Sequence, residues 1–218
     1  MNENELDQNS TCAKFATVQH EGKFIMEEFL LLGKNMKEFL DIVNEKGIPT
    51  GQTVDRDTAH LKGIWHRTSH VWLVRKKNET VQILLQKRAA IKSFPGCYDI
   101  SSAGHIPAGE DFIPSALREL KEELGISATA EELIRCGDRT IVWDDVFFGK
   151  EYHDRQYTRV FVLWKDLEET DFRLQQEEVD SVRWMDLTEC MQAVEVNSFR
   201  HCIEMEELLM VKNAVMEK

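Results

Sequence analysis

Residues 104–126 read GHIPAGEDFIPSALRELKEELGI, and this stretch decides the fold. Pro114 suits the first turn of a helix and Gly125 a left-handed stop, so the sequence predicts a helix from about Pro114 to Leu124. Ile113, Leu117, Leu120 and Leu124 recur at four, three and four residues and define one buried stripe. Glu119, Glu122 and Glu123 fall on another face. Like charges at that spacing cost a helix roughly a few tenths of a kcal/mol per pair, so a cation is expected beside them. Arg118 is one candidate and a divalent metal a better one. Carboxylate oxygens with no cysteine cluster nearby suit Mg²⁺, with Mn²⁺ as the alternative, and not zinc. Such an ion screens the acidic face, clamps a diphosphate and acidifies a water. Those are the needs of phosphoanhydride hydrolysis.

Outward from this helix the pattern is strand-rich. FLDIV, NEKG and a run ending at Val54 read as a hairpin, and Asp55 to Leu61 as a short helix. HVWLVRK and TVQILLQKR, joined by KNET, read as a second hairpin, and YDISSAG as an extended segment. Thr129 with Glu132 is a capping-box signature for a short helix. RTIVW, YTRVFVLW and VDSVRWMDL look like strands, Asp186 with Glu189 repeats the capping signal, and residues 198–215 carry a C-terminal helix. The order implies an α/β (α+β) domain with helices packed on a mixed, partly antiparallel sheet. Residues 1–35 are expected to be an N-terminal extension, with an apolar cluster at Phe24–Leu32, and residues 36–218 the main domain.

The 218 residues carry 27 Lys and Arg against 39 Asp and Glu, a formal net charge of −12. So acidic a surface repels phosphate backbones and disfavours a nucleic-acid polymer as partner. A phosphate-bearing small molecule remains suitable if a bound cation bridges acid to anion. The five cysteines are widely spaced without a CxxC pair, which fits a reducing compartment. MNENELDQ is acidic where a signal peptide is basic, and no apolar run is long enough to span a bilayer. The expectation is a cytoplasmic protein without membrane attachment, with room for a homodimer.

The wider spacing carries more information than the helix. The segment fits G-x5-E-x7-R-E-U-x-E-E-x-G-U, with U bulky and apolar, at Gly104, Glu110, Arg118, Glu119, Leu120, Glu122, Glu123, Gly125 and Ile126. A chance match in such a chain is on the order of one in a million or rarer. The stretch resembles the box of the Nudix hydrolases. The resemblance implies a mixed sheet sandwiched between helices, with a loop–helix–loop holding the metal. It implies that Glu119 and Glu123 ligate metal directly, that Glu122 is a further ligand or a base, and that the Ala103 carbonyl is a ligand. It also implies that Arg118 orients Glu110 or a helix glutamate, and that Gly104 and Gly125 sit where backbone angles need glycine. Glu177 and Glu178, before the late strand, are further candidates for the base.

The flanks HRTSHVWLV, LLQKRA and FPGCYDISSAGH resemble Nudix proteins related to isopentenyl-diphosphate isomerase. That likeness implies metal-binding positions at His66 and His105, and diphosphate-binding positions at Arg88 and Lys92; His105, beside the box, is the stronger candidate for contact with substrate. Isomerases of this type use a cysteine where Ala103 stands and a glutamate where Gln156 stands, so that proton-transfer mechanism lacks its groups. Hydrolysis of a small-molecule diphosphate, such as a nucleoside diphosphate derivative or an isoprenoid diphosphate, is the leading expectation. An isomerase-like protein and a non-catalytic nucleotide sensor are the alternatives. Trp65, Trp72, Trp143 and Phe147 are candidates to stack on a base, although aromatic residues in strands more often build core.

Overall fold

In the computed structural model the described residues are 37–147 and 149–216. The extension expected for residues 1–35, with its apolar cluster, lies outside the described residues. Strands β1 (Phe39–Val43) and β2 (Pro49–Asp55) pair antiparallel as a separate hairpin. Helix α1 (Arg56–Lys62) follows, with Asp55 accepting from the Thr58 amide and Gly63 closing it at φ 62°.

The main sheet has seven strands. β3 (His66–Lys77), β4 (Thr80–Arg88), β5 (Tyr98–Asp99), β6 (Ser102–His105), β7 (Leu133–Phe147), β8 (Lys150–Trp164) and β9 (Val179–Asp186) form it. The central order is β5-β4-β3-β8-β7, with β6 also on β3 and β9 on β4. Only β3 and β8 run parallel among the pairs of described strands; the others are antiparallel.

HVWLV is apolar on both faces because both faces are covered. Val71 and Leu73 join Ala116, Leu120 and Leu124 of helix α2 (Phe112–Leu124) on one side. Trp72 and Val74 join Cys190 of α3 (Leu187–Glu195) and Leu208 and Val211 of α4 (Met205–Met216) on the other. The chain is therefore a mixed sheet between helices.

Four sequence expectations need correction. Helix α2 begins at Phe112, whose amide donates to the Asp111 side chain, so Pro114 sits inside the first turn. Ile113 is 37% exposed, and Phe112 takes its expected place in the core at 5%. Thr129 and Glu132 do form a capping box, but on a single 3-10 turn, Ala130–Glu132. The C-terminal helix starts at Met205 and not at residue 198. The preceding segment is extended, because the Tyr98 amide donates to the Arg200 carbonyl and the Cys202 amide to the Tyr98 carbonyl, both at 2.9 Å.

Glu207 ties α4 to the sheet. Buried at 2% exposure, it accepts from Trp72 Nε1 at 2.7 Å, His70 Nδ1 at 3.0 Å and Arg139 Nη1 at 3.0 Å. Burial alone raises a carboxyl pKa, yet His70, Trp72 and Arg139 hold this one below its ordinary value. Glu207→Ala strands those donors and is expected to cost about 3–5 kcal/mol. Leu209→Ala, on the 46% exposed face of the same helix, should cost well under that. Urea melts of both variants check the difference, and equal midpoints would refute it.

Candidate active site

Helix α2 holds Glu119 and Glu123 against the edge of β6, whereas Glu122 faces solvent. The Ala103 amide donates to Glu123 Oε2 at 3.3 Å. A Cβ built on Gly104 would lie 2.2 Å from the Glu119 carboxyl carbon. Gly104 is thus required for space. It sits in a strand without a positive φ, which corrects the expectation that its angles need glycine. Gly125 meets that expectation at φ 71°, and its position against Arg173 also leaves no room for a Cβ.

The three box carboxylates occupy different surroundings. Arg118 pairs with Glu119 at 2.9 Å and with Glu122 at 3.0 Å. Glu110, the other partner considered for Arg118, accepts instead from Ser115 Oγ at 3.0 Å. Glu122 is half exposed, whereas Glu123 is buried. Burial, then the charges of Glu119 and Glu178, pushes Glu123 up to about 8, with Lys92 pulling the other way. Glu119 and Glu178 are thus near enough for their charges to act on Glu123, although Glu178 comes from the loop before β9. Lys92 and Glu178, read from sequence as a substrate cation and a base, pair with each other. Carboxylate oxygens with no soft donor among them suit a hard divalent cation.

A cavity of about 1400 Å³ opens beside this edge. Ala103, Gly104, His105, Arg88 and Lys92 line it; Glu119 and Glu123 abut its wall through Ala103 and Gly104. Arg88 donates to Asp99 Oδ2 at 2.7 Å and to the Ser93 carbonyl at 2.7 Å, so it braces the β4–β5 loop.

A second cluster stands deeper in the cavity. His60, His66 and His105 place ring nitrogens within 4.8 Å of one another. His60 Nδ1 is bonded to the Arg56 carbonyl at 3.0 Å and His66 Nδ1 to the Ile64 carbonyl at 2.9 Å. A carbonyl only accepts, so each Nδ1 carries the proton and each Nε2 presents a lone pair. His60 Nε2 faces His105 Nε2 at 3.3 Å, and both His60 and His66 face Asp154 Oδ1, at 3.7 and 3.8 Å. His66 Nε2 and Asp154 Oδ1 are buried without a hydrogen-bond partner. Burial holds His60 down to about 3 and His66 to about 4, and pushes Asp154 up to about 6. Converging lone pairs with orphaned buried atoms fit a borderline cation such as Zn²⁺. His105 thus lies in a histidine cluster on the cavity wall. His60 and Asp154 were missed in the sequence. His60 carries no motif spacing, whereas Asp154 was detectable as the residue two before Gln156, on the same strand face. Gln156 Nε2 donates to Asp154 Oδ2 at 2.7 Å.

No helix among the described residues is long and apolar enough to cross a membrane. Cys97, Cys136, Cys190 and Cys202 are free thiols.

Three comparisons agree with this architecture. A Nudix hydrolase of Clostridium acetobutylicum is 39% identical over 144 residues, 66% of this chain and 67% of that protein. An isopentenyl-diphosphate Delta-isomerase of Aliivibrio fischeri is 29% identical over 151 residues, 68% of this chain and 80% of that protein. The crystal structure of DR0079 from Deinococcus radiodurans superposes with a TM-score of 0.56 at 19% identity, over 80% of this chain and 98% of that one, a likeness of fold. The family model of the NUDIX domain matches residues 65–204, the span that holds the box glutamates, His66, His105 and Asp154, while His60 lies just before it. The chain belongs to the Nudix hydrolase family.

Proposed function

We propose that residues 36–218 form a Mg²⁺-dependent hydrolase domain that splits a diphosphate linkage in a small-molecule substrate, with residues 1–35 as an appended segment. The observation that carries this reading is the packing of Glu119 and Glu123 against the Ala103–Gly104 edge of a large cavity. Glu119, Glu123 and the Ala103 carbonyl would hold the ion, with Mn²⁺ able to replace Mg²⁺. When bound, it supplies charge neutralisation for a diphosphate and acidification of a water.

The chain's own residues divide the remaining work. Arg118 fixes Glu119 and Glu122 on the helix face through its two ion pairs. Lys92, on the cavity wall, holds one substrate phosphate oxygen, and its release from Glu178 frees that carboxylate to accept a proton from water. Arg88 keeps the loop that carries Lys92 in place. Glu122, half exposed and bound to Arg118, is a poorer base than Glu178. The intact glutamates oppose a purely sensory role.

A second reading rests on the histidine cluster, which would hold a transition-metal ion in the same cavity. Together with the likeness to an isomerase, it keeps proton transfer on a diphosphate as the competing chemistry. The side chains present at Ala103 and Gln156 do not favour that chemistry.

Three outcomes are expected. Across a diphosphate panel with Mg²⁺, and with release of phosphate or of a phosphomonoester as readout, Glu123→Gln should lower kcat by about 10²-fold or more. Gly104→Ala, which pushes a methyl into Glu119, should do the same; wild-type activity in both variants would reject hydrolysis at this site. Second, Glu123 keeps its proton to about pH 8 in the fold, whereas an unfolded glutamate loses it at roughly 4.3. The native state therefore binds more protons between those values, and the metal-free protein loses stability as pH rises through that interval. Mg²⁺ must displace this proton, so its stabilising shift in Tm should grow from pH 7 to 8.5; a flat profile contradicts the assignment. Third, Co²⁺ added to the protein should give visible d–d absorption that His60→Ala abolishes and Glu123→Gln retains. The reverse pattern would empty the histidine cluster of its assigned ion.

A further inference from the structure

Two aromatic rings from separate parts of the chain meet on the lining of the cavity. Phe94 lies on the loop after β4, and Trp143 lies on β7. β3 and β8 separate those strands, so the parent strands are about 14 Å apart, three steps of about 4.8 Å. The ring centroids nevertheless meet at 5.5 Å, inclined at 56°. Both rings line the cavity, and both are half-buried.

The loop is set for this. Phe94 has φ 52°, a left-handed backbone that a bulky residue adopts only at a cost of order 1–3 kcal/mol. The Arg88 guanidinium pins the preceding residue, donating to the Ser93 carbonyl at 2.7 Å and to Ser93 Oγ at 2.9 Å. The same loop carries Lys92 two residues earlier. On the far side Trp143 stacks on Tyr152 at 5.3 Å and 23°, and Tyr152 on His60 at 4.4 Å and 19°. A row of π faces therefore runs from the basic loop to the histidine cluster along one cavity wall.

We infer that Phe94 and Trp143 are the specificity-determining pair of the cavity: their contact opens to take between them a flat π-bearing group attached to the substrate's diphosphate. This rests on the hydrolase reading for the position of the diphosphate, at Lys92 and the Ala103–Gly104 edge. Sandwiching a flat group exchanges one ring contact for two, and a saturated chain of equal length gains no such stacking.

The test uses two probes of equal charge, an adenosine diphosphate sugar and a diphosphate that carries a saturated alkyl group at each end. Trp143→Leu keeps bulk without the π face, and Trp143→Phe restores the face; thermal melts verify that both fold. Trp143→Leu and Phe94→Leu should each raise KM for the nucleotide probe roughly tenfold or more, with kcat held within about threefold. KM for the alkyl probe should stay within about twofold, and Trp143→Phe should recover most of the loss. Equal changes for both probes, no change for either, or a loss confined to the alkyl probe would overturn the inference. Calorimetric binding of the nucleotide probe in a Glu123→Gln background separates the two readings. Binding that still depends on Trp143 without wild-type turnover of any diphosphate sinks hydrolysis alone. Wild-type turnover with binding indifferent to Trp143 sinks the aromatic pair alone.

Discussion

The close approach of α2 to the edge of β6 is the constraint on which the rest of the molecule depends. Carboxylates that repel one another are held against a strand because the opposite side of their helix is locked in the core. Ala116, Leu120 and Leu124 are fully buried against the sheet. At roughly 1.5–3 kcal/mol for each large apolar side chain buried, that packing outweighs the few tenths of a kcal/mol lost per like-charge pair. The strand contributes by omission. A side chain at position 104 would occupy the volume of the Glu119 carboxylate.

β6 is four residues long, yet it serves two donor sets of different character. Ala103 and Gly104 face oxygen donors from α2, and His105 faces nitrogen donors from α1 and β3. Hard and borderline cations are sorted by such ligand chemistry and not by overall charge. The two sets also differ in protonation. Glu123 retains its proton toward neutral pH because burial and like charges disfavour its anion. The histidines stay neutral because burial disfavours their cations. One physical term, desolvation, thus leaves both clusters short of charge.

Much of this was legible in the chain. The hairpins, the box helix and its glycine stop follow from local periodicity and turn chemistry, which act over a few residues. The errors share a cause. Ile113 and Phe112 are neighbours at the helix start, where a small rotation decides which one faces the core. Residues 198–204 carry helical composition, but the Tyr98 backbone supplies strand-like partners from a hundred residues away. The pairing of Lys92 with Glu178 likewise joins residues from different loops. No spacing rule reaches such contacts.

By itself the sequence determined that acidic side chains would share one helix face, framed by glycines at a fixed distance, because a helix repeats every 3.6 residues whatever surrounds it. Only the tertiary structure decided what those side chains meet. The parallel pairing of β3 with β8 sets His66 opposite Gln156 and brings Asp154 within reach of the histidines. The loop after β4 and strand β7 bring Phe94 and Trp143 together on the lining of one cavity. Those neighbours are fixed by strand order and core packing, which involve the whole chain at once and leave no local signature in it.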